Sequence, residues 1–261
     1  MRPYILAEAN YGHIKNHQYD VAVLPCGATE PHNYHLPYGT DLFEGTVVGE
    51  KICQYAYERG GNVVLLPTIP YGTETNMHRF PLAMNVNPST LFLFITDLIH
   101  SCLRSGIKKF LILNSHGGNE FKPLLRELAD KIDGHLFLCS WYQSIGEDYS
   151  KIFEYKDDHG GEMETSFGLA YFPHLVAKNP DGTLTGDAGA TQPSRFSAIN
   201  QGWVSITRPW HLLTTNSGSG YPHAATAEKG HKCVELVTQR VGQFLLELAQ
   251  SPLDEKFPFV K

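Results

Sequence analysis

Short apolar runs alternate with longer stretches of helical period along this chain. Runs suited to buried strands occur at Val21–Pro25, Val63–Pro67, Phe110–Leu113 and Leu136–Cys139. Between them, Leu42 to Tyr57 sets Phe43, Val47, Ile52 and Tyr55 on one stripe, and Gly60 and Gly61 supply a stop. Pro88 can open a helix behind Asn87, and the segment Leu91–Leu103 is apolar nearly all round, which predicts a mostly buried helix ending at Gly106. Pro123 marks another first turn, with Leu124, Leu125, Leu128 and Ile132 as its stripe, and a last long helix is expected from about Ala224 to Ala249. Strand alternating with helix at this spacing predicts βαβ units, so the expected fold class is three-layer α/β/α with a mostly parallel central sheet. In such sheets the loops at the carboxyl ends of the strands converge on one crevice.

Composition narrows the function. The chain has 261 residues with 21 Lys+Arg against 27 Asp+Glu. That excess of acid argues against a nucleic-acid partner. The longest apolar stretch is interrupted by Asp97 and His100, well short of the roughly 18 residues of a membrane span. The opening residues lack the apolar core of a signal peptide, so a cytoplasmic location is expected. Five scattered cysteines, with no C-x-x-C pair, read as core thiols rather than as disulfides or a thiolate zinc site. There is no composition break, so residues 1–261 read as one domain, with Asn179–Ser194 as a long surface insertion.

Thirteen histidines are the more telling count, because several stand beside carboxylates in loops. The densest cluster, Glu30 to Asp41, follows the first strand. Pro31 biases Glu30 towards an extended backbone, so Glu30 and His32 lean to one side of the chain. Asp41, just before a helix, can cap it or share its two oxygens between two cations. A second loop, Asn114 to Asn119, holds His116 and the paired Gly117 and Gly118, whose freedom to take positive φ lets backbone N–H groups meet an anion beside a helix start. A third segment, Asp157 to Ser166, holds His159, Glu162 and Glu164 as a helix begins. Two acids two residues apart cannot share a helix face, so one points inward and the other serves the helix N-terminus; Glu164 is favoured as the inward ligand. Taken singly, each of these residues also has an ordinary reading as a loop histidine, an N-cap or a dipole-complementing acid.

Nucleophile chemistry has less support. Ser219 lacks a G-x-S-x-G elbow, and no G-x-G-x-x-G follows the first strand. Cys26 and Ser115 remain as rivals for a serine or cysteine amidase.

These motifs together resemble the creatininase (creatinine amidohydrolase) family. The resemblance rests on Glu30 with His32 and Asp41, on NSHGGN at 114–119, on HGGEMETS at 159–166, and on YPHAATAEKG at 221–230, in order across most of the chain. It implies that Glu30, Asp41 and His116 hold one divalent ion while His32, Asp41 and Glu164 hold another, with Asp41 bridging and His159 transferring protons. It further implies two divalent metal ions per subunit (zinc first, manganese or iron as alternatives) and a homo-oligomer, commonly a hexamer. Two departures fall in the substrate pocket: Gly117 and Gly118 stand where creatininase proper has tyrosine and glutamate, and Tyr155 stands nearest its tryptophan. A substrate other than creatinine is therefore expected.

The resulting expectation is metal-dependent hydrolysis of a non-peptide C–N amide bond in a small molecule, with Gly117 and Gly118 steadying the oxyanion and with Glu74, Asn76 and His78 as substrate contacts. The alternatives are a family branch acting on formamides or peptide amides, and a metal-stabilised binding or regulatory protein without turnover.

Overall fold

A computed structural model of the protein describes residues 1–156 and 159–259. Among them, β1 (Val21–Cys26), β2 (Val63–Leu65), β3 (Lys109–Asn114) and β4 (His135–Ser140) form one parallel sheet in the order β2-β1-β3-β4. Central strands β1 and β3 pair in register from Val21↔Lys109 to Cys26↔Asn114, so their following loops emerge side by side.

Alternation along the strands sorts the core into two layers. Val21, Val23, Leu111 and Leu113 face one apolar cluster; Ala22, Leu24, Phe110 and Ile112 face the other. The first is closed by α1 (Thr40–Tyr57), α4 (Glu162–Tyr171) and α5 (Ala227–Gln250), the second by α2 (Pro88–Arg104) and α3 (Lys122–Leu128). This is the expected three-layer α/β/α architecture.

Several local expectations are corrected. The buried face of α1 runs through Asp41, Glu44, Gly45, Val48, Gly49, Ile52 and Ala56 rather than along Phe43, Val47 and Tyr55. Glycine makes the difference: a Cβ on Gly49 would stand 2.7 Å from Leu65 Cδ1, so the helix presses on the sheet where an apolar count sees nothing. Helix α2 is not buried all round. Leu91, Ile95 and Ile99 pack inward at i, i+4 spacing, whereas Leu93 is 70% and Phe94 50% exposed. The last helix starts three residues later than expected, because Thr226 caps it by accepting from the Lys229 amide at 3.2 Å, while Pro222–Ala224 form a 3-10 turn. The five cysteines are free, with Cys26, Cys53 and Cys233 buried. No described helix is long and apolar enough to cross a membrane.

The insertion at Asn179–Ser194 belongs to a longer stretch between α4 and α5, mostly irregular but with short helical turns such as Ser197–Asn200 and Trp210–Leu213, that folds back over the carboxyl ends of the strands. It is pinned there by polar contacts. Asn33, at φ 60, donates its side-chain amide to Asp187 O at 2.8 Å and its backbone N–H to Ser217 Oγ at 2.9 Å. Ser217 Oγ in turn donates to Pro31 O at 3.1 Å.

Candidate metal centre

The loops after β1 and β3 and the first turns of α1 and α4 meet at the carboxyl edge of the sheet. Asp41 does not cap α1, since the helix begins at Thr40. Its carboxylate instead lies between two imidazoles, with Oδ1 3.2 Å from His32 Nε2 and Oδ2 3.1 Å from His116 Nδ1. Glu30 Oε1 lies 3.0 Å from His116 Nδ1 and 4.0 Å from His32 Nε2, and Glu164 Oε2 lies 3.9 Å from His32 Nε2. Glu30, His32, Asp41, His116 and Glu164 are therefore brought together. All but Glu164 are at most 4% exposed.

Each histidine is tied on its outer nitrogen and presents the other inward. His32 Nδ1 is 3.1 Å from Glu30 O, His116 Nε2 is 2.8 Å from Glu74 Oε1 and 3.2 Å from Thr73 O, and His159 Nε2 is 2.8 Å from Pro31 O. Inward, Glu30 Oε2, His32 Nε2 and Asp41 Oδ2 are buried without a well-directed hydrogen bond, the close imidazole–carboxylate approaches above being charge contacts without hydrogen-bond geometry. Buried polar atoms left so are costly, about 1–3 kcal/mol each, and cations are what this donor set accepts. Three ligand groups are close enough to hold an ion: His32 with Asp41 and Glu164, Glu30 with Glu74 and His116, and Glu30 with His32 and His159.

The electrostatics follow from crowding acids and imidazoles in a buried space. Burial pushes the Glu164 carboxyl up to about 7 against the pull of His32, with Asp41 adding to the rise. Burial also raises Glu30 and, reinforced by Glu164 and Asp41, Glu44. Burial opposes charge on His32 and His116, yet Asp41 and Glu164 around the first and Glu30 and Asp41 around the second hold both well above the usual imidazole range. Asp41 stays low because His32 and His116 outweigh its burial. His159 is lowered by burial and by the neighbouring His32, whose ring centroid is 4.1 Å away.

The remaining expected residues fall in different places. Glu74 is fully buried behind His116 and does not line the cavity, so it supports that ring rather than reaching a substrate. Asn76, Gly117 and Gly118 line the cavity; His78 is exposed and outside its lining. Neither Gly117 nor Gly118 has positive φ, and α3 begins only at Lys122, so the pair is not at a helix N-terminus. What residue 118 requires is space, since a Cβ there would stand 2.3 Å from His116 Nε2 and 2.6 Å from Thr73 O. Glu162 stands at the helix N-terminus as expected of the second acid, and it is fully buried there. Asp157 and Asp158 lie outside the described residues. Ser219 meets His159 through backbone, not through its hydroxyl: His159 N–H donates to Ser219 O at 3.0 Å and Ser219 N–H to His159 O at 2.7 Å. Ser115 Oγ accepts from Trp141 Nε1 at 2.9 Å, and Cys26 is fully buried outside the cavity lining, where burial pushes its thiol far up.

The cavity, about 350 Å³, has walls the sequence did not announce: Glu44, Trp141, Tyr142, Tyr149, Met163, Arg208 and Trp210. Glu44 was legible in principle, standing one turn beyond Asp41 on the same helix face. Trp210 comes from the irregular cover and meets His159 edge-on at 5.2 Å between ring centroids, while the Arg208 guanidinium lies 5.0 Å from the Trp210 ring.

Fold and site thus define a class: a three-layer α/β protein with a buried carboxylate–imidazole centre at the carboxyl ends of its strands. The family model described as creatinine amidohydrolase matches residues 7–245, and the chain belongs to this creatininase family, whose members are hydrolases. A creatinine amidohydrolase from Pseudomonas putida is 29% identical over 176 residues, covering 60% of this chain and 66% of that enzyme, just under two thirds of its length. A mycofactocin precursor peptide peptidase from Mycolicibacterium smegmatis is 24% identical over 217 residues, covering 81% and 78% respectively. A Bacteroides fragilis structure assigned by name to creatinine amidohydrolase superposes with a TM-score of 0.89 at 33% identity over 98% of this chain and 100% of that one.

Proposed function

We propose that this protein hydrolyses a non-peptide C–N amide bond in a small molecule with the help of two divalent cations. The observation that carries the reading is Asp41, whose two carboxylate oxygens each face a different imidazole, Oδ1 towards His32 and Oδ2 towards His116. Glu30, Asp41 and His116 would hold one ion, and His32, Asp41 and Glu164 the other. Zinc leads and manganese or iron follow; among solved creatininases one structure is of Mn and another of Zn-Zn type.

When bound, such a pair supplies a nucleophilic water at neutral pH and positive charge for the carbonyl oxygen. The chain's own residues do the rest. His159 is kept neutral by burial, its Nε2–H is fixed on Pro31 O, and its Nδ1 lone pair faces the centre 3.8 Å from Glu30 Oε1. It can take a proton at Nδ1 and return it to the leaving nitrogen, work typically contributing about 10²–10⁴-fold. Gly117 and Gly118 line the cavity, and their backbone N–H groups would meet the developing oxyanion. Thr73 O and the Glu74 carboxylate, 3.2 and 2.8 Å from His116 Nε2, would keep a proton on that nitrogen and leave Nδ1 for an ion. Asn76 is the substrate contact retained from the sequence. In the cell we place the protein in the cytoplasm as a homo-oligomer, hexameric as the family resemblance implies.

The test is elemental analysis of the purified protein followed by hydrolysis assays over cyclic ureides, lactams and formamides before and after chelation. Two equivalents of metal and chelation-sensitive turnover are expected. A serine or cysteine amidase would survive chelation, and a binding protein would retain metal without turning over any amide.

A further inference from the structure

Tyr142 and Tyr149 line the metal cavity, and the same two residues line a second, more open groove of about 700 Å³ beside it. The groove is built on fixed aromatic surface. Phe153 is 3% exposed, and Tyr149 Oη donates to Tyr155 O at 3.1 Å. The Tyr155 ring, 44% exposed, packs on Tyr221 at 4.5 Å between centroids. A cavity of about 350 Å³ has room for more than a compact ring, which uses neither its outer part nor the larger groove bordered by the same two tyrosines. One ligand long enough to span both does.

We propose that the substrate is a tailed amide: the scissile group lies in the metal cavity, and an apolar or aromatic substituent runs past Tyr142 and Tyr149 into the groove. This rests on the amide-hydrolase reading and sharpens it: among cyclic ureides, lactams and formamides, members carrying a tail should be favoured over compact ones. The tail contributes binding through apolar area removed from water.

The experiment measures dissociation constants on metal-loaded protein for three hydroxamates, whose head carries an amide-like carbonyl and binds metal. The compounds are acetohydroxamic acid, 4-phenylbutyrohydroxamic acid with its tail on the carbonyl, and N-(3-phenylpropyl)acetohydroxamic acid with its tail on nitrogen. We expect one tailed compound to bind about tenfold or more tighter than acetohydroxamic acid, and its identity tells which side of the amide enters the groove. Ser150→Trp, which fills the groove from an exposed position, should erase that gain and leave the acetohydroxamic acid constant unchanged; Gln143→Trp fills it independently. If neither tail adds affinity, or if both filling variants weaken all three compounds equally, the proposal is overturned while the metal reading stands. If acetohydroxamic acid fails to bind protein carrying two equivalents of metal, the hydrolase reading itself fails, and the tailed substrate with it.

Discussion

Glu162 and Lys229 form an ion pair 2.5 Å long, with the carboxylate fully buried and the lysine side chain 18% exposed. Around it three segments are fastened. Glu162 Oε2 accepts the backbone N–H groups of Glu154 and Tyr155, both at 2.8 Å, and Lys229 Nζ donates to Glu154 Oε1 at 2.8 Å and Ala224 O at 2.9 Å. The start of α4, the approach to His159 and the approach to α5 are thereby held by one pair of charges.

Lys229→Met should therefore destabilise the protein by about 3 kcal/mol, because it strands a buried carboxylate. The double variant Glu162→Gln with Lys229→Met removes the stranded charge and should recover part of that loss. Chemical denaturation of the three proteins decides it; a double variant no more stable than Lys229→Met alone contradicts the account.

His32→Ala and His159→Ala should separate ligand from proton carrier. The first is expected to lose metal and turnover together. The second should keep its metal and lose about 10²-fold or more in rate. Metal retained at full content in the first variant, or undiminished turnover in the second, goes against these roles.

Residue 118 leaves no room for a side chain, whereas at Gly117 an added Cβ meets nothing within 4 Å. Gly118→Ala should displace His116 and sharply reduce metal content. Gly117→Ala should keep both the melting temperature and the metal. Elemental analysis with thermal melts checks the pair, and equal behaviour of the two variants would sink the steric argument.

Acidity gives a further expectation for the chelated protein. The folded Glu164 carboxyl, at about 7 against an ordinary 4.5, binds its proton after the unfolded chain has released it, and His32 and His116 are raised in the same sense. Raised groups stabilise the fold below their unfolded pKa and lose that contribution as pH climbs through the folded value. The lowered histidines, His35 at about 4 and His159, are neutral when folded but half charged when unfolded at about pH 6.5, so they oppose the trend until about pH 7.5. Chelated protein should thus melt at progressively lower temperature above about pH 7.5, and metal addition should release protons and flatten the slope. A flat profile in the chelated protein counts against this electrostatic picture.

Much of the fold was legible because strands covered on both faces are short apolar runs whatever their neighbours, and all four runs became strands. The helix faces were less so. On α1 the contact with the sheet is made by Gly45 and Gly49, which carry no apolar signal, and on α2 the exposed Leu93 and Phe94 cannot be told from core by type alone. In the site, motif density marked Glu30, His32, Asp41 and His116, since ligand types crowded into loops after buried strands are visible in one dimension. Trp210 and Arg208 were invisible: they reach the cavity through a non-periodic cover anchored by Asn33, Asp187 and Ser217, contacts separated by more than a hundred residues. Glu74 was seen but misplaced, because sequence shows that a carboxylate is near and not whether it faces a ring or a ligand.

The Pro31 carbonyl takes two hydrogen bonds, from His159 Nε2 and from Ser217 Oγ. Orientation of the imidazole and anchoring of the overlying segment are thus written into one oxygen atom. Displacing that segment would remove one of the two bonds that fix this carbonyl, so the tilt of the ring depends on a stretch of chain more than fifty residues further along the sequence.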